Sequence, residues 1–259
     1  MGDTHALIEA RGLRKRFGAV EAVRGVDLTL HRGEVLGFLG PNGAGKTTTM
    51  RMLSGYLLPD AGSVRLGGVD LAQQPLEARR RLGYLPEGAP AYGEMRVEDF
   101  LAFVARARGF AGRAVRQRVS DAMEKVHLGA YAGQRIETLS KGYRRRTGIA
   151  QALLHDPPVL IMDEPTDGLD PNQKFEVRQL VRSLGRDRAV LLSTHILEEV
   201  EVVCTRAVVL HRGVTVFDGT PKELDALAPQ SIAQSRLDHV FRKLTAVRAG
   251  ASSSLERRS

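Results

Sequence analysis

The sequence predicts an α/β protein with a mostly parallel sheet, a strand-rich start and an inserted helical segment. Three observations carry that expectation. Short apolar runs recur along the chain: Val35 to Leu39, Val159 to Met162, Ala189 to Leu192 and Ala207 to Leu210. Such runs suit strands buried on both faces. Helical stretches alternate with them, which argues crossover connections and helices on both sides of the sheet. A glycine-rich loop directly follows the first run.

Taken in order, the stretch from Leu7 to Gly40 reads as strands. Val23, Val26, Leu28 and Leu30 place apolar residues near period two, and Gly25 and His31-Arg32-Gly33 punctuate them. A helix is predicted from Lys46 to Ser54, then a strand pair with a glycine turn from Gly62 to Val69. Between Val97 and Thr147 the pattern turns helical. Val97, Phe100, Leu101 and Val104 keep helical spacing, and Val115, Val119, Met123 and Val126 follow it less cleanly. Strands return at Val159, separated by predicted helices at Phe175–Leu184 and Ile196–Val203. The last residues, Gly250 to Ser259, are small and polar without periodicity, and disorder is expected there.

The chain of 259 residues can bury a real core without disulfides. Apolar residues make up 42% and charged residues 26%, which is ordinary globular usage. The single cysteine, Cys204, excludes an intramolecular disulfide and a cysteine-built zinc cage. With no apolar run of about 20 residues and no secretory leader, a soluble, cytosolic protein is expected. The net charge of +8 favours phosphates, nucleic acid or anionic surfaces. Arginine-rich composition can also reflect base composition, and most such charges lie on solvated faces.

Four motifs carry chemistry. Gly40-Pro41-Asn42-Gly43-Ala44-Gly45-Lys46-Thr47 lies between a buried strand and a helix. Glycines let the backbone curl so that N–H groups point at phosphate oxygens, and the helix adds its N-terminal N–H groups. Lys46 would reach the β- and γ-phosphates, and the Thr47 hydroxyl would hold Mg²⁺. Second, the strand Val159 to Met162 ends in Asp163-Glu164-Pro165. Asp163 can hold Mg²⁺, and Glu164 can orient or deprotonate an attacking water. Alone, such a pair is a polar turn; beside a phosphate loop it is ligand-facing. Third, Leu192-Ser193-Thr194-His195 puts a histidine at the next strand end, within reach of a γ-phosphate and a water. Fourth, Leu139-Ser140-Lys141-Gly142-Tyr143 opens a helix with Ser140 as N-cap. Its Arg144-Arg145-Arg146 run reads as mixed surface and interhelical contacts rather than a nucleic-acid patch.

In this order the motifs resemble the nucleotide-binding subunit of an ATP-binding cassette (ABC) transporter, over roughly Ile8 to Leu227. The resemblance implies a P-loop NTPase (RecA-like) core, an N-terminal antiparallel β subdomain and an inserted helical subdomain at about 90–150. The nucleotide-binding domain would span 1–227, and 228–259 would form a C-terminal helical extension and tail. It further implies ATP and Mg²⁺ as ligands, bound by Gly40 to Thr48, with Phe17 stacking on adenine. Lys46, Glu164 and His195 would act in hydrolysis. Ser140 and Gly142 would contact the ATP of a second subunit, and Asp170, in the Gly168-Leu169-Asp170 loop, is a further nucleotide-binding candidate. Two departures stand out. Lys141 and Tyr143 replace a glycine and a glutamine of the usual signature, and Glu87 stands at the family's glutamine, making it a candidate metal ligand with Thr47 and Asp163. Both departures, and the ending Leu237 to Thr245, resemble bacterial exporter ATPases related to those for gliding motility, multidrug or polysaccharide export.

The resemblance implies an ATP-dependent homodimer, or a heterodimer with a related subunit. It also implies a separate polytopic membrane permease, which places the chain at the cytoplasmic face of the inner membrane, with no nucleic-acid partner. The rival readings are soluble ABC ATPases, in iron–sulfur assembly or linked to nucleic acid. Translation-type members carry two cassettes, and repair-type members insert a long coiled coil between the phosphate loop and the signature. This chain has one cassette and no sustained heptads there.

Overall fold

The computed structural model describes residues 6–229 and 236–246; the expected disorder of Gly250 to Ser259 lies outside the described residues. Two long strands, β1 (Ile8–Phe17) and β2 (Val20–Leu30), form an antiparallel hairpin in which Ile8 faces Leu30 and Phe17 faces Val20. β4 (Ala61–Leu66) and β5 (Val69–Asp70) extend it into a four-stranded sheet of order β2-β1-β4-β5. Alternation explains its one buried face: Ile8, Ala10, Val23, Leu28, Leu30, Val64 and Leu66 point inward.

The second sheet contains β3 (Val35–Leu39), β6 (Leu82–Leu85), β7 (Val159–Asp163), β8 (Ala189–Ser193), β9 (Arg206–His211) and β10 (Val214–Gly219), ordered β10-β9-β3-β8-β7-β6. All neighbours run parallel except β10, which returns antiparallel on β9. β3, β7 and β8 are buried at every residue, as their apolar runs require. Their two faces divide the core. Val159, Ile161, Ala189 and Leu191 pack toward the first sheet and α1 (Lys46–Leu53). Leu160, Met162, Val190 and Leu192 pack toward α3 (Val97–Ala107), α4 (Arg113–Lys125), α5 (Lys141–Leu153) and α6 (Pro171–Leu184). Each fully buried leucine or isoleucine there contributes about 1.5–3 kcal/mol over exposure.

A third cluster joins Leu39, Ala207 and Val209 to α7 (Leu197–Val203), α8 (Pro221–Ala226) and α9 (Arg236–Ala246). A short helix, α2 (Pro75–Arg80), precedes β6. Among the described residues no helix is long and apolar enough to cross a membrane. α6 starts four residues before the predicted helix, because Asp170 accepts from Gln173 N at 3.0 Å and Pro171 takes the first helical position.

Candidate functional site

β3 delivers the chain into the glycine loop, and α1 begins at Lys46. Gly45 stands at the helix entrance with φ 102°, where a Cβ would lie 2.6 Å from Ala22 O, so only glycine fits. Among the described residues no side chain caps α1, and its first turn carries no acid. Its unpaired N–H groups and positive dipole end therefore remain available to an anion. Lys46 is buried, and its Nζ donates to Gly40 O at 2.7 Å and Pro41 O at 3.3 Å. Burial lowers its pKa below the ordinary lysine value, while the charges of Glu164, Asp163 and Glu87 act in the opposite direction.

Asp163 ends β7 and is buried. Ser193, at the end of β8, donates its hydroxyl to Asp163 Oδ1. Asp163 Oδ2 is also buried but meets no hydrogen-bond donor among the described residues. A buried carboxylate oxygen without a donor fits a cation, and Thr47 lines the same cleft. Among the described residues no group of three His, Cys, Asp or Glu side chains forms a metal cage. Thr47 and Asp163 thus suit a hard ion that takes its other oxygens from phosphate and water.

Glu164 follows with φ 46°, uncommon for a residue with a side chain. Its backbone N–H donates to Ser193 Oγ at 2.9 Å, and its Oε1 lies 3.1 Å from His195 Nδ1. Ser193 is therefore one hydroxyl serving both acids. With the proton on Nδ1, His195 donates to Glu164. His195 is half-exposed, and Glu164 beside it is more enclosed.

The cleft, about 800 Å³, is lined by Gly40 to Thr48 together with Glu87, Asp163, Glu164 and His195. Pro41, Asn42, Gly43 and Ala44 are among the lining residues. Glu87 lies on an exposed loop after β6 and faces both this cleft and an adjoining hollow. Phe17 is half-exposed and lines that hollow with Thr48, Tyr84 and Asp163. Ser140, Gly142 and Asp170 do not line the cleft of their own chain. They meet one another through Gln173, whose Nε2 donates to Ser140 Oγ at 3.4 Å and whose N donates to Asp170 Oδ1. Lys141 reaches over Gly168 toward Asp167 at 4.0 Å, joining the unusual signature residue to the loop after β7.

Sequence reasoning assigned no role to Ser193, Arg212 or Phe241, although the last two also line the cleft. Ser193 sat in a polar triplet that could have flagged it. Phe241 comes from α9, far along the chain, and only the packing of α9 reveals it.

A family model described as ABC transporter matches residues 23–167. The ABC transporter ATP-binding protein YxlF of Bacillus subtilis is 39% identical over 218 residues, covering 84% of this chain and 72% of the relative. The Nod factor export ATP-binding protein I of Ralstonia nicotianae is 38% identical, covering 84% and 68%. Among solved structures, an ATP-binding subunit of an ABC transporter superposes with TM-score 0.79 at 30% identity, covering 92% of this chain and 99% of that one. The dimeric cassette MJ0796, bound to ADP and Pi, shares the fold at TM-score 0.73 and 21% identity, covering 83% and 98%.

Proposed function

The chain belongs to the ABC transporter family as an ATP-binding and ATP-hydrolysing subunit, and from that premise we propose which residues do the work and with which partners. The glycine loop and the α1 N-terminus hold the triphosphate through backbone N–H groups. Lys46 exchanges its two loop carbonyls for phosphate oxygens, so a buried cation meets an anion where the loop is closed. Phe17 stacks on the base from the adjoining hollow.

Glu164 accepts the proton of the attacking water, and His195 orients Glu164 and the γ-phosphate. The Ser193 hydroxyl holds the Glu164 backbone in place. Thr47, Asp163 Oδ2 and Glu87 would hold Mg²⁺. When bound, the ion offsets the negative charge of the phosphate oxygens. The observation that carries this reading is the linked set Asp163–Ser193–Glu164–His195 facing Lys46 across one cleft.

Ser140, Gly142 and Asp170 serve the cleft of a second copy or of a related subunit, arranged head to tail. Their position away from their own cleft supports this arrangement. Residues 1–227 form the nucleotide-binding unit and 228–259 its extension. A separate polytopic permease docks on this unit at the cytoplasmic face of the membrane. Export is the direction of this reading, since one relative is named for Nod factor export.

Glu164→Gln tests the roles. It should bind ATP as wild type does, lose hydrolysis, and accumulate an ATP-bound dimer on size exclusion with Mg²⁺. A Glu164→Gln protein that still hydrolyses ATP at the wild-type rate would refute the assignment.

A further inference from the structure

Glu164 and His195 lie on two different loops, and their 3.1 Å pairing needs those loops held in register. One link is the Ser193 hydroxyl on the strand side. A second, deeper link is Glu199 in the first turn of α7, only 2% exposed. Its Oε1 accepts from the Thr166 hydroxyl, two residues beyond Glu164. Its Oε2 accepts at 2.9 Å from the hydroxyl of Thr194, the residue before His195. The Thr194 hydroxyl also accepts from Ile196 N at 3.0 Å, so it brackets His195 from both sides. Arg178 on α6 supplies the countercharge, with Nη2 3.3 Å from Glu199 Oε1.

A carboxylate taken out of water is costly unless it is paired and hydrogen-bonded. Glu199 meets that condition with three donors drawn from three segments: the loop after β7, the loop after β8, and α6. A fold needing only stability would fill this position with an apolar side chain at least as well. The arrangement instead gives direction, because each hydroxyl donor sits within two residues of one member of the reacting pair.

The geometry points to Glu199 as a positioning residue for hydrolysis: it fixes the Glu164 and His195 loops relative to one another, acting through Thr166 and Thr194. This rests on the reading of Glu164 and His195 as the hydrolytic pair. Glu199 itself does not line the nucleotide cleft, so it should govern turnover and leave nucleotide affinity alone.

The experiment compares Thr194→Val, Thr194→Ser, Glu199→Ala and His195→Ala in the full chain, measuring kcat, ATP affinity and melting temperature. Thr194→Val is close in shape and removes only the bracketing hydroxyl, so it decides the matter even if Glu199→Ala fails to fold. Thr194→Val should lower kcat by about tenfold or more, with ATP affinity within about twofold of wild type. Thr194→Ser, which restores the hydroxyl, should recover most of that loss. Combining Thr194→Val with His195→Ala should cost no more than His195→Ala alone, as expected for residues acting as a unit. An inactive His195→Ala beside a Thr194→Val with wild-type kcat overturns the positioning role alone. A fully active His195→Ala overturns the hydrolytic pair itself, whatever the Thr194 variants do. A Thr194→Val that weakens affinity and melting temperature with kcat unchanged would mark a purely structural role and also overturn the inference.

Discussion

Replacing Ser193 with alanine removes one buried hydroxyl that serves both acids of the cleft. In the native protein it donates to Asp163 Oδ1 and accepts from Glu164 N at 2.9 Å. A buried hydrogen bond to a charged group contributes about 1.5–3 kcal/mol, and one between neutral groups about 0.5–1.5 kcal/mol. The variant should therefore lose about 2–4.5 kcal/mol. For a chain of this size that corresponds to a melting temperature lower by about 4–18 °C. The catalytic consequence is separate. Glu164 sits at φ 46°, a conformation that persists only where its surroundings hold it. Without the hydroxyl its backbone N–H has no acceptor, and the carboxylate can drift from His195. A displacement of about 1 Å can cost about a hundredfold in rate, so turnover should fall by at least about tenfold. Calorimetry and steady-state ATPase assays measure the two effects. A Ser193→Ala protein within roughly 0.5 kcal/mol of wild type, with turnover unchanged, would refute the reasoning.

Three further perturbations test other parts of the account. Lys46→Ala should abolish Mg²⁺-supported hydrolysis, read as phosphate release, because the cleft then loses its buried cation. Glu87→Gln should bind ATP more tightly than wild type in EDTA and keep most Mg²⁺-supported turnover, whereas Glu87→Ala should lose more; titrations with EDTA and with Mg²⁺ measure this. His155 has its pKa lowered to about 4 by burial and then by the neighbouring Arg108. The unfolded chain, with an ordinary imidazole, binds the proton first, so stability should fall as pH drops from 6.5 toward 4. Denaturation of His155→Gln should show a smaller loss over that window.

The parts of the fold that sequence reasoning reached are those with an unambiguous burial pattern. β3, β7 and β8 are buried on both faces, so their composition alone marks them. β10 went unseen because it has no fully buried residue and so no apolar run. β6 has only four residues, one of them Gly83, and α2 only six, too short for a period to show. The start of α6 was legible in Asp170-Pro171, but the helical reading began at Phe175, which is 62% exposed and outside the buried stripe of Val177, Val181 and Leu184. At the site, the phosphate loop could be read because its neighbours in sequence are its neighbours in space. The links through Ser193 and Glu199 join residues about thirty positions apart, beyond any local pattern. Nothing in the residue type of Glu164 announces its positive φ. Arg145 and Arg146 follow the mixed reading given to their run: both are buried, Arg146 against Val126 O and Glu176, while Arg144 stays exposed.

The central claim is that each ATP is hydrolysed between Lys46 of one subunit and Ser140 and Gly142 of another. The most direct measurement is the ATPase rate of Ser140→Arg and Lys46→Ala proteins, each alone and mixed in equal amounts. Each alone should be inactive. In a mixed dimer one cleft joins an intact Lys46 to an intact Ser140, so random pairing should restore about a quarter of wild-type activity. A Ser140→Arg protein as active as wild type, or a mixture that pairs yet stays at background, would contradict the composite site.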